Sequence, residues 1–261
     1  MPEGDTLHRV ATRLRPALEG RTLERFEALR LAGDRPRRGE TIVSVESVGK
    51  YLLIAFSGGL TLATHLRMTG SWHLYRVGER WRKPAHLARA VVATDEWVAV
   101  CFSAPVVRTY PTASPGASPV DHLGPDLCRP DADIDEAVRR FATHADPDTS
   151  IGDALLDQRI AAGIGNVYRC EVLWACRLHH DTPVRDVSVP ARRELLVTAA
   201  RLLKANLGGG ERRTVPGGLA VYDRARRPCR QCQTPIEVGR TGRDGRIVYW
   251  CPRCQVSAAA M

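Results

Sequence analysis

The sequence lacks the two features that would take a chain into or across a membrane. No apolar run approaches the length of a membrane span, and the N-terminus has no basic segment followed by an apolar one. We therefore expect no membrane partner and a cytoplasmic location. Internal repeats and low-complexity tracts are missing as well.

Acidic residues are too few to balance the basic ones. The chain has 29 Asp and Glu against 38 Lys and Arg, a formal net charge of +9. This surplus favours an anionic partner, and nucleic acid is the first candidate. At 261 residues the chain can bury a sizeable core, and two domains suit its length better than one.

Cysteine is scarce outside one region. The chain has eight cysteines, of which four form two Cys-x-x-Cys pairs near the C-terminal end. A disulfide framework is not expected in a cytoplasmic chain. The scattered cysteines stand among apolar neighbours and are predicted to be packing residues: Cys101, Cys128, Cys170 and Cys176.

The N-terminal half has the pattern of a β-rich domain. Asp5 or Thr6 is predicted to cap a first helix, which Pro16 and Gly20 end. Short β-rich runs follow without intervening helices, a pattern typical of an antiparallel sandwich or barrel. The predicted strands are Thr41–Val45, Tyr51–Phe56, Leu60–His65, Trp72–Val77, Leu87–Thr94 and Val98–Phe102.

The composition changes after a loop at Pro111–Pro119 and a linker at Leu123–Asp126. Beyond Asp131 the segments have helical periodicity, and Ser188 followed by Pro190 is a typical helix start. A second domain is therefore predicted to begin near residue 130. The predicted helices are Asp133–Ala145, Thr149–Asp157, Asn166–Cys176 and Ser188–Leu207.

The two Cys-x-x-Cys pairs have the spacing of a zinc ribbon, with eighteen residues between them. Four thiolates complete a closed tetrahedral site, so the predicted Zn²⁺ is structural. It would hold a hairpin of 236–239 and 247–250, with Arg240, Arg243 and Arg246 at its tip. These arginines either contact a ligand or form a solvated face. The predicted metal ligands are Cys229, Cys232, Cys251 and Cys254.

Pro2 becomes a secondary amine if the initiator methionine is removed, as a small second residue favours. An α-amino group has a pKa of about 8, against about 10.4 for lysine, so more of it is nucleophilic near neutrality. Attack on C1′ of a deoxyribose would give an iminium ion that acts as an electron sink. The alternative is that Pro2 only follows the start codon.

Gly163-Ile164-Gly165-Asn166 precedes a predicted helix. Its glycines allow a close backbone approach, and the helix start is suited to binding a phosphate. Many helix starts have this composition for capping alone, so both interpretations stay open at this point.

Pro2-Glu3-Gly4, Val48-Gly49-Lys50, the 163–166 segment and the terminal cysteine pairs together resemble the family of formamidopyrimidine-DNA glycosylase and endonuclease VIII. The resemblance spans nearly the whole chain. It implies an α+β fold in three parts. These are an N-terminal antiparallel β-sandwich with flanking helices (1–125), a helix–two-turns–helix domain (126–218) and a zinc-finger hairpin (219–256).

The resemblance also implies roles for five residues. Pro2 is the Schiff-base nucleophile, and Glu3 protonates the deoxyribose ring oxygen. Lys50 matches the lysine that assists β-elimination. Asn166 matches the asparagine that binds phosphate around the lesion, and Arg246 matches the zinc-finger arginine that grips phosphate and is tied to δ-elimination.

Four further residues match DNA-contacting positions of the family. Met68 resembles the apolar wedge that fills the gap left by the damaged nucleotide, and Arg67 aligns with a polar residue of the same loop. His86 and His122 fall where relatives contact DNA, although a lone histidine is often structural.

The implied function is a bifunctional DNA glycosylase and abasic-site lyase of base excision repair, at work in the bacterial cytoplasm or nucleoid. It would act as a monomer on damaged DNA that is double-stranded, in bubbles or single-stranded. The opening with Asp5 is similar to the endonuclease VIII branch, and 108–118 lacks the Asp-Pro-Arg-Arg-Phe-Gly segment of the purine branch. Oxidised pyrimidines are therefore the expected substrates. The alternatives are an oxidised-purine glycosylase, a lyase for abasic sites only, and a zinc-ribbon DNA-binding protein without enzymatic activity.

Overall fold

The computed structural model describes residues 2–242 and 245–256. Met1 and Arg243, named above for removal and for the hairpin tip, lie outside the described residues. The chain forms two compact units: the first contains Pro2 and Thr6–His122, and the second contains Glu3–Asp5 and the residues from Leu123 onward. The three-part division predicted from the sequence stays a prediction.

Helix α1 runs from Gly4 to Leu18, so it begins before the predicted caps and includes Pro16. The prediction that Pro16 ends the helix is wrong. Proline removes one N–H donor, but this residue is exposed in the last turn, where water can satisfy the released carbonyl. Buried Leu14 and Leu18 on either side keep the last turn on the core.

Eight strands of the first unit form two four-stranded antiparallel sheets, in the orders β1-β6-β7-β5 and β2-β3-β4-β8. Alternating burial along Tyr51–Phe56 is typical of a strand with one face on a core. Strands β1 and β8 have no counterpart among the strands predicted from the sequence. The strands are β1 Arg25–Glu27, β2 Ile42–Val48, β3 Tyr51–Phe56, β4 Leu60–His65, β5 Ser71–Arg76, β6 Ala88–Ala93, β7 Trp97–Phe102 and β8 Val106–Pro111.

One hydrophobic core joins both sheets. Ile54 and Leu62 of one sheet and Val92 and Ala99 of the other belong to the same buried cluster as Leu14 of α1. This packing confirms the sandwich and excludes the barrel. Tyr110, near the end of β8, is buried as well.

Among its described residues, the second unit has four further α-helices. The last of them begins as predicted: the Ser188 side chain caps it by accepting a hydrogen bond from Ala191 N, and a proline stands in its first turn. The predicted helix Thr149–Asp157 contains only one regular turn. The predicted linker at Leu123–Asp126 begins where the first unit ends, and it stays a prediction. Its Gly124 is buried, and a Cβ there would lie 2.3 Å from the Ile160 carbonyl oxygen. The helices are α2 Ile134–His144, α3 Ile151–Ala154, α4 Asn166–Ala175 and α5 Val189–Lys204.

A hairpin of β9 (Glu237–Thr241) and β10 (Arg246–Trp250) follows the helices in the second unit. It agrees with the predicted hairpin to within two residues. Val248 of β10 packs with Cys170 of α4 and with Cys229 and Cys251 in one small core. Within the described residues, none of the helices combines the length and apolar character needed to cross a membrane.

Candidate active site

Glu3 is fully buried at the N-terminus of helix α4. Its carboxylate accepts hydrogen bonds from three backbone N–H groups, of Gly165 at 2.8 Å, Val167 at 2.8 Å and Tyr168 at 3.3 Å. Gly165 has no side chain with which to cap this helix. Glu3 therefore takes the place of a capping side chain and interacts favourably with the positive end of the helix dipole.

The glycines before α4 leave room for the Glu3 carboxylate. A Cβ at Gly165 would lie 2.4 Å from the Glu3 side chain, and Gly163 has a φ of 106°. Of the two interpretations of this helix start, capping therefore holds for the three N–H groups that donate to Glu3. The glycines make room for a carboxylate of the chain itself.

Asp5 is also fully buried, and it forms a bidentate ion pair with Arg212. Arg212 donates from Nε to Oδ2 at 2.9 Å and from Nη2 to Oδ1 at 2.7 Å, and its guanidinium lies 5.1 Å from the ring centroid of Tyr168. Burial lowers the pKa of Arg212, but the hydrogen bonds and charge of Asp5 outweigh it, so the net shift raises that pKa. No local pattern connects two residues that are 207 positions apart, and the sequence analysis did not single out Arg212.

Lys50 stands in the turn between β2 and β3, as predicted, and it is half-buried. The next residue, Tyr51, pairs with His65 on β4, and their rings meet edge to face at 4.8 Å. Burial lowers the pKa of His65 to about 4, and the charges of Lys50 and Arg67 add to the effect. A neutral imidazole therefore lies close to Lys50 at neutral pH, which the sequence did not indicate.

Arg67 and Met68 occupy a tight turn after β4. Arg67 has a φ of 45° and donates from its backbone N to Nδ1 of His65 at 3.2 Å. A hydrogen bond from Gly70 N to Leu66 O closes the turn. The Met68 side chain is 68% exposed, so a ligand can reach it. This exposure fits a wedge, although that role stays a prediction.

His86 and His122 are both exposed. His86 lies in a short 3-10 turn, Ala85–Leu87, and its carbonyl accepts a hydrogen bond from Arg89. His122 is the last residue of the first unit. Exposure leaves both side chains available to a ligand, but their predicted DNA contacts stay predictions.

Asn166 and the strand that carries Arg246 lie together in the second unit. Asn166 is the first residue of α4, and its Nδ2 donates to the carbonyl of Ile247 at 2.7 Å. Arg246 begins β10 with an exposed side chain and lines an open groove of about 1000 Å³.

The four predicted metal ligands converge. Their sulfur atoms all lie within 4.8 Å of one another, with Cys229 to Cys254 at 3.9 Å and Cys232 to Cys251 at 3.4 Å. Tetrahedral ligands about 2.3 Å from a metal ion are separated by about 3.8 Å. Trp174 donates from Nε1 to the Cys229 sulfur at 3.4 Å, the kind of contact that orients a thiolate ligand. The donor set and spacing therefore fit a metal ion.

A second group of metal-ligand types is His179, His180 and Asp181. Two of its members already have partners: Nδ1 of His179 accepts from Asp181 N, and Asp181 accepts from the Thr241 hydroxyl. The two imidazole rings lie against each other at 4.2 Å, which does not suit two ligands of one ion. We regard this group as structural.

The candidate residues divide between the two units. Pro2 is half-buried and directly precedes Glu3 in the chain. Pro2 belongs to the first unit and Glu3 to the second. The second unit brings Glu3 and Asn166 to one turn of α4 and contains Arg246 and the four cysteines. The first unit contains Pro2, Lys50, Arg67, Met68, His86 and His122.

The fold and these residues define a class of DNA-repair enzyme, and comparison of the chain with models of known protein families identifies the family. The family model of the formamidopyrimidine-DNA glycosylase N-terminal domain matches residues 1–105, and that of the formamidopyrimidine-DNA glycosylase H2TH domain matches residues 123–215. The chain belongs to the formamidopyrimidine-DNA glycosylase and endonuclease VIII family of DNA glycosylases and abasic-site lyases.

Two relatives match over nearly the full length. The probable endonuclease 8 2 of Streptomyces coelicolor is 42% identical, over 99% of this chain and 95% of that protein. The DNA-(apurinic or apyrimidinic site) lyase Nei2 of Mycolicibacterium smegmatis is 36% identical, over 99% of this chain and 100% of that protein.

Solved structures show the same fold. The MutM (Fpg) protein of Thermus thermophilus has a TM-score of 0.81 at 28% identity and covers 98% of this chain and 100% of its own. The Lactococcus lactis formamidopyrimidine-DNA glycosylase bound to abasic-site DNA has a TM-score of 0.80 at 21% identity. The match covers 97% of this chain and 99% of that structure's chain.

Proposed function

We propose that this protein removes oxidised pyrimidines from DNA and then cuts the strand at the resulting abasic site, with the amine of Pro2 as nucleophile. The observation that carries the proposal is the placement of Glu3. A carboxylate directly after Pro2 is held by three N–H groups of one helix turn. Because that turn is rigid, the carboxylate has a defined position on α4, one residue along the chain from the proposed nucleophile.

The proposed reaction begins at the sugar. The Pro2 nitrogen attacks C1′, and the base leaves with the electron pair of its bond to C1′ and the proton that the amine loses. Glu3, in its protonated form, gives its proton to the ring oxygen as the bond between C1′ and O4′ breaks, which leaves an iminium ion and the Glu3 carboxylate. Loss of a proton from C2′ then passes electrons towards the iminium, and the bond between C3′ and O3′ breaks. This step is β-elimination.

The second elimination breaks the bond between C5′ and O5′ after a proton is lost from C4′. Arg246 is proposed to grip the phosphate that leaves, since a guanidinium suits bidentate contact with phosphate. Asn166 is proposed to contact a phosphate near the lesion. Lys50 is proposed to assist β-elimination, with neutral His65 adding no competing positive charge beside it.

Zinc is the proposed metal of the four-cysteine cluster. Four thiolates without an open coordination position suit a structural Zn²⁺, which would hold the β9–β10 hairpin. The partner is proposed to be damaged duplex DNA, with bubbles and single strands as further substrates, and the chain is proposed to act as a monomer in the bacterial cytoplasm or nucleoid. Its net charge of +9 supports an anionic partner.

The preference for pyrimidines rests on the endonuclease VIII branch. A relative at 42% identity is named as a probable endonuclease 8, and 108–118 lacks the purine-branch segment. A second candidate is a lyase for abasic sites only. The relative at 36% identity, which is named for abasic-site lyase activity, favours it.

Borohydride trapping tests the proposed nucleophile. Reduction of the iminium should join the protein covalently to a DNA strand with one abasic site. One additional residue before Pro2 should abolish trapping, because the amine would no longer lie at position 2. Trapping at full yield with the extended chain would refute the proposal.

A lesion panel separates the two candidates. Duplexes that contain one oxidised pyrimidine, one oxidised purine or one abasic site are incubated with excess protein. Base removal from the pyrimidine duplex supports the proposal, and preference for the purine would place the protein in the purine branch. Cleavage of the abasic duplex alone would identify an abasic-site lyase.

A further inference from the structure

The carbonyl of Ile247 accepts two side-chain hydrogen bonds from helix α4. Asn166 donates from Nδ2 at 2.7 Å and Arg169 donates from Nη2 at 3.0 Å. Ile247 directly follows Arg246 in strand β10. Two donors on one helix therefore hold the peptide next to the arginine proposed to grip phosphate.

Arg169 is an unusual residue for its position. Its side chain is fully buried, and its neighbours on the helix include the buried Cys170 and Val172. Nη1 lies 3.6 Å from a carboxylate oxygen of Asp153, and among the described residues Nε and Nη1 have no hydrogen-bond partner. A buried charge that is incompletely paired is costly, and an apolar side chain of similar volume is often as stable or more so. Stability alone therefore does not account for an arginine here.

The turn end of the hairpin is held by the same region. A Cβ at Gly242 would lie 2.7 Å from both carboxylate oxygens of Asp153, so the turn packs closely on the partner of Arg169. The hydroxyl of Thr241 donates to Asp181 at 3.0 Å. Asp153 thus contacts both the buried guanidinium and the hairpin that it supports.

The first turn of α4 holds the other part of the site as well. The N–H groups of Gly165, Val167 and Tyr168 bind Glu3, and Arg169 lies one residue further along the helix. An α-helix rises only 1.5 Å per residue and is rigid over one turn. The distance between Glu3 and the Ile247 peptide is therefore set by a single stiff element.

We propose that Arg169, supported by Asp153, is a positioning residue that holds Arg246 at the distance from Glu3 needed for the second elimination. This inference rests on the proposed function, because it assumes that Arg246 contacts the phosphate released when the bond between C5′ and O5′ breaks. Arg169 itself contacts the Ile247 carbonyl and not the DNA. Its loss should therefore affect the second elimination selectively and leave attack by Pro2 intact.

The test compares Arg169→Met, which removes charge and donors at similar length, with Arg169→Lys, which keeps a charge and a donor. The zinc-loaded, full-length proteins are incubated in excess with a labelled strand that has one preformed abasic site. The β- and δ-elimination products are separated by their different 3′ ends. We expect Arg169→Met to retain borohydride trapping and to lower the ratio of δ- to β-product by about tenfold or more. Arg169→Lys should restore most of that ratio.

A double variant distinguishes positioning from general support. If Arg169 acts through Arg246, adding Arg169→Met to Arg246→Ala should lower the ratio no further than Arg246→Ala alone. Metal content and thermal unfolding are measured for every variant. Equal loss of both eliminations together with loss of metal would mean that Arg169 only maintains the hairpin, and it would overturn the inference.

Two other results would also overturn it: an unchanged product ratio in Arg169→Met, or a wild-type protein that stops after the first elimination. The proposed function would survive either result. Its own failure has a different signature, which is the absence of trapping in the wild-type protein.

Discussion

Glu3 and Gly165 are matched in space across 162 positions of sequence. The Gly165 N–H donates to the Glu3 carboxylate at 2.8 Å, and a Cβ on Gly165 would lie 2.4 Å from the Cδ of that carboxylate. Real Cβ atoms do not approach other atoms so closely. The position of the proposed acid therefore depends on a residue with no side chain.

Gly165→Ala should move Glu3 and reduce activity. We expect the free energy of unfolding to fall by about 1–3 kcal/mol, as for overpacked cores. Abasic-site cleavage should fall by about tenfold or more, because small misplacements of catalytic groups are costly. Gly208→Ala is the matched control, since nothing lies within 4 Å of a Cβ there. Single-turnover cleavage and urea unfolding provide the two measurements, and full activity in Gly165→Ala would contradict the assignment of Glu3.

The buried ion pair of Asp5 and Arg212 should be strongly coupled. Removing one partner leaves an uncompensated charge, so Asp5→Asn and Arg212→Met should each lower the free energy of unfolding by about 3–5 kcal/mol. The double variant should be less destabilised than the sum of the two, because no lone charge remains. Chemical unfolding of all four proteins gives the coupling energy. Strict additivity would show that the pair does not interact in solution.

Metal binding and phosphate binding should separate by mutation. Cys251→Ser is expected to release the metal and weaken DNA binding, because the thiolates hold the hairpin that carries Arg246. Arg246→Ala should retain the metal and still lose activity in the second elimination. Elemental analysis and DNA-binding titrations test both statements, and purified wild-type protein without zinc would refute the assignment of the metal.

Acid should destabilise the protein partly through His65. Burial and then the charges of Lys50 and Arg67 lower its pKa in the folded state from 6.5 to about 4. Between these values the unfolded state binds more protons, so the free energy of unfolding falls as the pH drops from 6.5 to about 4. His65→Gln should flatten this dependence. His180, whose pKa burial also lowers to about 4, contributes with the same sign, and His180→Gln is the companion variant. Parallel curves for wild type and His65→Gln in urea unfolding would contradict the prediction.

The base opposite the lesion should matter little. The stretch 108–118 lacks the Asp-Pro-Arg-Arg-Phe-Gly segment of the purine branch, whose Arg-Phe pair is expected from the resemblance to read the opposite base, and Met68 is the main wedge candidate. A good bidentate base contact provides about 1–3 kcal/mol of discrimination. We therefore expect activity on one oxidised pyrimidine to vary by less than about tenfold across the four opposite bases. Single-turnover rates test this, and a preference for cytosine of about a hundredfold would refute it.

Much of the fold follows from local patterns. Short β-rich runs predicted β3 and β4 with their observed bounds, and Ser188 with Pro190 predicted the start of α5. Cysteine spacing predicted the four-sulfur cluster. These features depend on neighbours in the sequence, so they can be predicted without tertiary contacts. The end of α1 could not be predicted in this way, because burial of Leu14 and Leu18 outweighed the local effect of Pro16.

The sequence by itself determined the family, the antiparallel sandwich with its helical second part, and the residue types available for catalysis. Only the tertiary structure decided what the start of α4 binds. Its glycines suggested a phosphate, but the Glu3 carboxylate accepts three of its N–H groups. The Asp5–Arg212 pair and the contact of Arg169 with the Ile247 peptide likewise join residues far apart in the chain. The physical reason is that charge pairing and close packing depend on distance in space, which no local spacing of residues encodes.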